Sequence, residues 1–263
     1  VIMGRLFGPD PTDLLEPLFE VVHDLDHFWN VPSIFLYADS EGFDDYRQRW
    51  LDKMARLDHL IYQLLQRQPQ PILNHYLGLG DRQRLRDAAV TFLLTGFDTA
   101  ASGIYWTLDQ LLAHPEAMDQ ASQQSPWLTA SVQEALRLYP PVWYLGREAV
   151  SDTHLGGYVV PAGSLAITSP YLIHRNPRLW PDPEEFRPRR FIQATPPARN
   201  YLPFGLGMRM CLGKHMALDV MITAVGHLLR GYRLQVVAAG DRGLRSDFTL
   251  APRRPLQVRL EAR

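Results

Sequence analysis

The sequence predicts a mainly α-helical protein that carries small β-sheets, and three observations indicate this fold class. Apolar residues recur at helical spacing through most of residues 1–140. Short β-type runs separated by turns follow in residues 141–203, a region that is also rich in proline. A further long helical stretch covers residues 214–231. A length of 263 residues is compatible with one large domain or two small ones, and we interpret the chain as a single domain.

Composition and charge exclude several functional classes. With 46% hydrophobic and 21% charged residues, the chain matches globular proteins and differs from disordered, collagenous and coiled-coil chains. A formal net charge of -1 argues against a nucleic-acid partner. The sequence has no apolar run long enough for a transmembrane helix and no signal peptide, so we expect a cytoplasmic protein. The single cysteine excludes an internal disulfide and a zinc ribbon, which leaves a buried thiol, a nucleophile or one metal-binding thiolate.

The helical part of the sequence divides at prolines and helix caps. Apolar residues at helical spacing predict a helix over Asp44–Gln66. A longer, largely apolar helix is expected from Gln83 to Ala113, ending before Pro115. Another covers Pro126–Leu138, with Ser125 as its N-cap and a Pro-Pro pair after it.

The β-rich region begins after this Pro-Pro pair. Short runs at Ala149–Val150, Gly156–Val160 and Leu165–Thr168 predict a small hairpin sheet. Residues 175–203 are expected to be irregular, and an irregular segment of this length is usually functional or packed around another group. Residues 232–263 predict a C-terminal hairpin.

A glycine-rich loop over residues 204–213 leads into the helix of residues 214–231 and contains Cys211, the only cysteine. The backbone amides and the macrodipole at a helix N-terminus favour a thiolate at this position. Gly207 and Gly213 permit positive φ angles and the close approach of a flat ligand to the backbone. The alternative interpretation is a buried structural cysteine beside an ordinary turn.

The spacing around Cys211 resembles the haem-ligand signature of the cytochrome P450 family, which is Phe-x-x-Gly-x-Arg-x-Cys-x-Gly. The resemblance implies the cytochrome P450 fold and a heme b cofactor. It further implies that Cys211 is the axial thiolate of the haem iron and that Arg209 pairs with a haem propionate. The residues that it assigns to the cofactor loop are Phe204, Gly205, Gly207, Arg209, Cys211 and Gly213.

A second motif of the same family is Glu-x-x-Arg, which Glu134 and Arg137 match on one face of a helix. A surface ion pair is the alternative interpretation. In the family this pair is completed by an arginine that corresponds to Arg190, and Arg189 stands where the family usually has glutamate. Arg147 resembles a second arginine that binds a haem propionate.

The long helix carries a third resemblance. Gly96-Phe97-Asp98-Thr99 is similar to the family's oxygen-side motif, with Thr95 in place of the usual small residue. The resemblance implies that Gly96 makes room for dioxygen and that Asp98 and Thr99 deliver protons. The alternative is a kinked core helix whose threonine hydroxyl bonds back to a helix carbonyl.

The resemblance also predicts contacts with a substrate and an electron donor. By family position, a largely apolar and aromatic set of residues would face the substrate: Phe92, Phe97, Val142, Trp143, Tyr144, Leu145, Phe248 and Thr249. For each of them, ordinary core packing is the alternative interpretation. Residues 187–214 contain six basic residues and no acidic one. Four of these basic residues have no other assignment and form a candidate docking face for an acidic electron donor: Arg187, Arg189, Arg199 and Lys214. The alternative interpretation is a solvated surface. His174 is interpreted as a hydrogen-bonded core residue and not as a ligand.

The resemblance as a whole implies a haem-thiolate monooxygenase. Such an enzyme inserts one oxygen atom from O2 into an apolar organic substrate, with electrons from a ferredoxin or a flavoprotein reductase. Two alternatives stay open: an enzyme that uses peroxide or rearranges its substrate, and a truncated, non-catalytic haem-binding or interaction module. Because the N-terminal portion of the usual fold is lacking, we expect a fragment, a second chain that completes the fold, or a reduced form of it.

Overall fold

The computed structural model describes the helical residues Leu14, Glu16–Leu18 and Glu20–Val22, and then residues 43–67, 81–246 and 249–263. Contacts divide the chain into two compact units, residues 1–98 and residues 99–263. The interpretation of the whole chain as a single domain stays a prediction. The mainly helical character with small antiparallel sheets is confirmed.

The first unit is built from helices whose apolar stripes pack together. Helix α1 spans Phe43–Arg67, and α2 spans Arg82–Ala113, as the sequence predicts within two residues. Asp81 caps α2, because its Oδ1 atom accepts hydrogen bonds from the N–H groups of Gln83 and Arg84, both at 3.0 Å. Buried positions three or four residues apart form one apolar cluster that includes Leu57, Leu60, Ile61, Leu64, Leu85, Ala89, Val90 and Leu93.

The second unit contains the later part of α2 and five further helices. These are α3 (Pro115–Gln123), α4 (Ser125–Leu138), α5 (Pro170–Ile173), α6 (Arg189–Gln193) and α7 (Lys214–Gly231). Its main buried cluster comprises Leu111, Ala121, Leu128, Ala135, Leu138, Phe186, Val225 and Leu229. Helices α2 and α7 approach each other closely at Gly103 of α2, where a Cβ atom would lie only 2.7 Å from the Cε atom of Met221 in α7. The helix predicted over residues 214–231 is confirmed.

The helices differ from the sequence predictions at two places. The sequence predictions do not separate helix α3, although α3 begins with proline at its first position and has Glu116 in its first turn, which are both helix start signals. Ser125 is not the N-cap of α4. Gln124 takes that position in an extended conformation, and its carbonyl oxygen accepts the N–H groups of Trp127 and Leu128, both at 3.1 Å.

Four short strands follow α4 and form two antiparallel pairs instead of one hairpin sheet. They are β1 (Leu145–Glu148), β2 (Thr153–Leu155), β3 (Tyr158–Val160) and β4 (Leu165–Thr168). Strand β1 pairs with β4, and β2 pairs with β3 across a turn whose two glycines, Gly156 and Gly157, have positive φ. Ala149–Val150 lies outside β1, although Ala149 continues the pairing: its N–H donates to the Ser164 carbonyl at 2.9 Å, and its carbonyl accepts the Gly163 N–H at 2.7 Å.

The C-terminal region also forms two antiparallel pairs, where the sequence predicted one hairpin. Its strands are β5 (Tyr232–Ala238), β6 (Asp241–Ser246), β7 (Leu250–Arg254) and β8 (Gln257–Ala262). The outer strands β5 and β8 pair with each other, and the inner strands β6 and β7 do the same. In the sequence, the β6–β7 hairpin is therefore inserted between β5 and β8, which pair with each other.

Hydrogen bonds of Leu250, the first residue of β7, connect the C-terminal strands to α2. Its carbonyl oxygen accepts hydrogen bonds from Trp106 Nε1 at 2.9 Å and from Ser102 Oγ at 3.0 Å, and its N–H donates to Pro141 at 3.0 Å. The Trp106 ring also stacks on Tyr139, with 4.0 Å between ring centroids. These contacts hold the segment between α4 and β1 against α2.

In the part of the chain that the structure describes, no helix is both long enough and apolar enough to cross a membrane. The expected cytoplasmic location stays a prediction.

Candidate functional site

The loop that contains Cys211 has a defined backbone geometry. A single 3₁₀ turn covers Gly207–Arg209. The N–H of Cys211 donates to the carbonyl oxygen of Phe204 at 2.8 Å, which closes the loop at its base. Gly205 and Gly207 have φ angles of +71° and +74°, a region that residues with a side chain rarely adopt. The thiol of Cys211 is exposed and forms no disulfide.

The structure corrects the prediction for Gly213. Its φ angle is −86°, so this position does not need the freedom of glycine. A Cβ atom there would lie 3.9 Å from Cys211 Sγ, which is an ordinary van der Waals distance. Gly207 differs, because a Cβ atom there would have no other atom within 4 Å. The open side of the loop is therefore at Gly207.

Apolar side chains surround the thiol and face outward. The exposed fractions are 50% for Leu206, 104% for Met208, 48% for Met210 and 81% for Leu212. Large apolar side chains clustered at the surface usually mark a binding site. A broad apolar partner that covered this loop would bury these side chains and lie directly against the sulfur of Cys211.

Strand β1 approaches the same loop. The Cβ position of Gly205 lies 3.9 Å from Cδ1 of Leu145, the first residue of β1. Leu145 and Arg147 lie on one face of this strand because side chains alternate along it. Arg147 is exposed and donates from Nη1 to the Gly146 carbonyl at 2.7 Å. Arg209 is exposed within the loop itself. Two exposed guanidinium groups thus belong to elements at the edge of the loop.

Helix α2 is packed beside the loop through an apolar cluster. Phe204 packs against the buried residues Val132, Leu136 and Met221, and Ala100 of α2 packs against the same cluster. Ala100 follows Thr99 directly. The C-terminal side of the predicted oxygen-side motif is therefore close to the base of the Cys211 loop.

The other residues of that motif lie in the first unit. Gly96 and Asp98 fall within residues 1–98, and Thr99 begins the second unit, which contains Cys211. Their predicted roles in oxygen binding and proton delivery stay predictions. Thr95, which replaces the family's small residue, donates its hydroxyl to the Thr91 carbonyl at 2.6 Å. This threonine therefore bonds back to its own helix.

The structure brings Glu134, Arg137 and Arg190 together, and we call these three residues the ion cluster. Glu134 and Arg137 both have fully buried side chains, at 0% exposure. Arg137 Nε donates to Glu134 Oε2 at 2.8 Å, and its Nη2 atom donates to Oε1 at 3.0 Å. Arg190 Nε donates to Oε1 at 2.9 Å. The alternative of a surface ion pair is excluded for this Glu-x-x-Arg pair.

Backbone groups complete the ion cluster. Arg137 Nη1 donates to the carbonyls of His174 and Pro183, both at 2.7 Å, and its Nη2 atom donates to Glu185 at 3.0 Å. The N–H of Arg187 donates to Glu134 Oε1 at 2.8 Å. Every buried charge is therefore hydrogen-bonded as well as paired, which a buried ion pair requires in order to be stable. The cluster holds residues 174–190 against α4.

A histidine and a tyrosine extend the cluster toward the Cys211 loop. His174 is fully buried and makes two hydrogen bonds, as expected for a core histidine. Burial lowers its pKa to about 3. Tyr201 donates its hydroxyl to the Gln133 carbonyl at 2.9 Å, and burial, followed by the charge of Glu134, raises its pKa well above the ordinary value. The sequence indicated no connection of either residue with the loop.

The basic residues of the predicted docking face differ in their surroundings. Arg187 forms ion pairs with Asp182 and Glu185, so its charge is partly neutralised. The Arg189 guanidinium lies over the ring of Trp127, 5.9 Å from its centroid, which gives a role to the arginine that replaces the family's glutamate. Arg199 is exposed and Lys214 is partly exposed. Arg187 therefore offers less free charge to a donor than Arg189, Arg199 and Lys214, and the docking role of all four residues stays a prediction.

The predicted substrate-facing residues have different environments. Phe92 packs on the core of the first unit, and Thr249 is buried. Phe97 and Val142 are exposed, and the rings of Trp143 and Tyr144 lie 4.6 Å apart. Phe248 lies outside the described residues. The structure therefore assigns core packing to Phe92, and the substrate contacts of the others stay predictions.

The residues of the loop fit a haem. Among the described residues, no group of three or more His, Cys, Asp or Glu side chains could hold a metal ion. Cys211 therefore offers a single soft donor, which suits a metal whose other ligands come from a porphyrin. The open side at Gly207 would accept a flat ring, the exposed apolar side chains would cover it, and the guanidinium groups of Arg147 and Arg209 suit its propionates.

Comparison with known proteins gives consistent matches. The family model described as Cytochrome P450 matches residues 47–260. The chain is 31% identical over 203 residues to cytochrome P450 4c3 of Drosophila melanogaster, covering 68% of this chain and 38% of that protein. It is 31% identical over 205 residues to cytochrome P450 4V2 of Mus musculus, covering 69% of this chain and 39% of that protein.

A solved structure agrees with these matches. The crystal structure of CYP175A1 from Thermus thermophilus is similar to this chain, with a TM-score of 0.82 and 30% sequence identity. The match covers 98% of this chain and 64% of that structure. The chain spans about two fifths of the length of the curated relatives that it matches.

Proposed function

The chain belongs to the cytochrome P450 family, and from this membership we propose that it supplies the haem-thiolate centre of a monooxygenase. The reaction would insert one oxygen atom from O2 into an apolar organic substrate. The observation that carries the proposal is the Cys211 loop, in which one exposed thiol lies among exposed apolar side chains on a backbone shaped by positive-φ glycines.

Each residue of the site has a proposed task. When bound, heme b with a thiolate ligand supplies the activation of dioxygen. Cys211 would provide the sulfur ligand, held by the hydrogen bond between its N–H and Phe204. The guanidinium groups of Arg147 and Arg209 would pair with the propionates. Both are exposed, so they reach a ligand without having to leave a buried partner.

The oxygen side of the site would be supplied by α2. Gly96 would leave space for dioxygen beside the helix, and the Thr99 hydroxyl and the Asp98 carboxylate would supply protons for the reaction. Proton transfer by a positioned side chain typically contributes roughly 10²–10⁴-fold to a rate. We expect Asp98→Asn and Thr99→Ala to lower turnover within this range, while the absorption spectrum of the bound haem stays unchanged.

Haem binding through Cys211 is tested by spectroscopy. The purified chain is mixed with haem, reduced under carbon monoxide, and its Soret band is recorded. We expect the red-shifted band that a thiolate ligand produces, and its loss in Cys211→Ser. Since Cys211 is the only cysteine, alkylating the wild-type chain beforehand must have the same effect. The proposal is overturned if wild-type chain takes up no haem or if Cys211→Ser keeps the band.

The source of electrons distinguishes the proposed reaction from its nearest alternative. A monooxygenase needs NAD(P)H and a ferredoxin or flavoprotein reductase for turnover. An enzyme that uses peroxide or rearranges its substrate turns over without them. A chain that binds haem but is inactive under both conditions would be the non-catalytic module instead.

An acidic electron donor would dock on Arg189, Arg199 and Lys214. Such a surface speeds association by electrostatic steering, which salt screens. We expect the rate of reduction to fall as ionic strength rises and, at low salt, to be lower in Arg199→Gln than in the wild type. Arg187→Gln is the control, because removing a charge that Asp182 and Glu185 already partly neutralise should change the rate less. A rate independent of salt would remove this part of the proposal.

A further inference from the structure

We propose that His174 is a positioning residue that ties the ion cluster to the base of the Cys211 loop. The inference rests on the proposed function, since it names how the cysteine ligand is held in place. It follows from a series of hydrogen bonds that begins at the backbone of Arg137 and ends at the N–H of Cys211.

The hydrogen bonds of His174 fix its protonation. Its Nε2 atom lies 2.8 Å from the backbone nitrogen of Leu202, and a backbone N–H only donates, so Nε2 is the acceptor and carries no proton. The proton is therefore on Nδ1, which donates to the carbonyl oxygen of Arg137 at 3.0 Å. Both ring nitrogens are thus engaged, one with α4 and the other with the segment that leads into the loop.

Leu202 passes this connection to Cys211. Its carbonyl oxygen accepts the N–H of Gly205 at 3.1 Å, which closes the turn at the start of the loop. Phe204, inside that turn, accepts the N–H of Cys211 at 2.8 Å. His174 therefore positions Leu202, whose carbonyl closes the turn. Phe204 in that turn then positions the backbone of Cys211 through its hydrogen bond.

The surroundings make His174 a rigid link. Its ring is fully buried, 5.6 Å from the ring of Tyr201 and 6.2 Å from that of Trp180. Tyr201, the neighbour of Leu202, is bound separately to α4 through its hydroxyl. The carbonyl oxygen of His174 also accepts a hydrogen bond from Arg137 Nη1 at 2.7 Å. Arg137 and His174 therefore bond each other in both directions, which leaves the ring little freedom to turn.

Two variants separate the hydrogen bonds of His174 from its bulk. His174→Phe keeps an aromatic ring in the cluster but leaves the Leu202 N–H without an acceptor. His174→Gln keeps an amide oxygen that reaches the same N–H. His114→Phe is the control for the substitution itself, because His114 is exposed, bonds the helix carbonyl of Gln110 at 2.7 Å and packs on the ring of Phe186 without contacting the loop.

Amide hydrogen exchange measures the effect without requiring haem. Losing a hydrogen bond worth about 1 kcal/mol should speed local opening by roughly five- to tenfold. We expect this increase for His174→Phe in amide exchange over residues 202–211. His174→Gln should recover most of the protection, and His114→Phe should leave the loop unchanged. Exchange in the paired strands β5 and β8, which make no hydrogen bond with His174, serves as the internal reference.

The outcomes separate the inference from the proposed function. Unchanged loop exchange in His174→Phe, or an equal increase in the loop and in the reference elements, overturns the positioning role. If the wild-type chain takes up no haem, the proposed function fails while the exchange result still decides the role of His174. With haem bound, His174→Phe should also convert part of the red-shifted carbon monoxide band to a shorter wavelength, and a wild-type band would count against the inference.

Discussion

The buried carboxylate of Glu134 gives the sharpest prediction about stability. Its Oε1 atom accepts three hydrogen bonds, from Arg137, Arg187 and Arg190, and its Oε2 atom accepts one from Arg137 Nε at 2.8 Å. In Glu134→Gln one oxygen becomes an NH2 group. With the remaining oxygen at the Oε1 position, this NH2 would face the Nε–H of Arg137, so two donors would meet. The charge of Arg137 would also lose its buried counter-ion.

The expected cost follows from burial. Removing one partner of a buried ion pair typically destabilises a protein by about 3–5 kcal/mol. Glu184→Gln is the matched control, since it makes the same chemical change in a carboxylate that is 70% exposed and paired with Arg175 at 3.0 Å. Surface ion pairs contribute about 0–1 kcal/mol. The two variants should therefore differ by several kcal/mol.

Urea unfolding followed by far-UV circular dichroism measures both free energies of unfolding. If Glu134→Gln leaves too little folded protein, Arg190→Gln tests the same cluster with a smaller loss, because Arg190 is 15% exposed. The reasoning is refuted if Glu134→Gln, or Arg190→Gln in its place, lies within about 1 kcal/mol of Glu184→Gln.

Three further predictions concern other parts of the chain. Gly207→Ala should cost about 1–2 kcal/mol of backbone strain and strongly weaken haem binding in a haem titration. Gly163→Ala, at a similar φ of +79°, is the control, which should cost the same stability and leave haem binding unchanged. Equal haem affinities of the two variants would contradict the prediction. Because the pKa of His174 falls from 6.5 to about 3 on folding, the unfolded state binds more protons between these values. The free energy of unfolding should therefore decrease by up to ~1.4 kcal/mol per pH unit as pH falls through this window, and denaturation curves of His174→Gln should decrease less; parallel pH dependences would show that His174 does not titrate in this way. Trp106→Phe should destabilise the chain by about 2–4 kcal/mol in urea, because it removes the hydrogen bond to Leu250 and leaves unfilled space at a fully buried site. A loss below about 1 kcal/mol would contradict this.

The helices and the cysteine loop could be predicted because their patterns are local. Helical spacing gave α1, α2 and α7 nearly to the residue, since a periodic apolar stripe requires no knowledge of its partner. The motif around Cys211 is likewise contained within ten residues. The spacing Glu-x-x-Arg alone was not sufficient, because Glu184 and Arg187 share it and the structure pairs Glu184 with Arg175 instead.

Strand pairing and the surroundings of the loop could not be predicted in the same way. Leu145 pairs with Thr168 across a hairpin and an intervening turn, and short runs of apolar residues do not specify which strand is the partner. The connection from His174 to Leu202 spans 28 residues and depends on a ring nitrogen accepting a backbone N–H. The contact between Arg189 and Trp127 depends on the packing of α6 on α4, which no local pattern reveals.

The ion cluster also restricts the order in which this chain can fold during its synthesis. Apart from the Glu134–Arg137 pair, the hydrogen bonds of Glu134 and Arg137 with residues 174–190 join positions 37 to 56 apart. Closing a flexible loop of about fifty residues costs roughly 3–4 kcal/mol of chain entropy. Glu134 is synthesised before Arg190, so its carboxylate can pair only with Arg137 of its own helix until the later segment arrives. Helix α4 can therefore form early but dock only afterwards. The proline-rich segment and the cysteine loop that follow it take their final geometry at that later step.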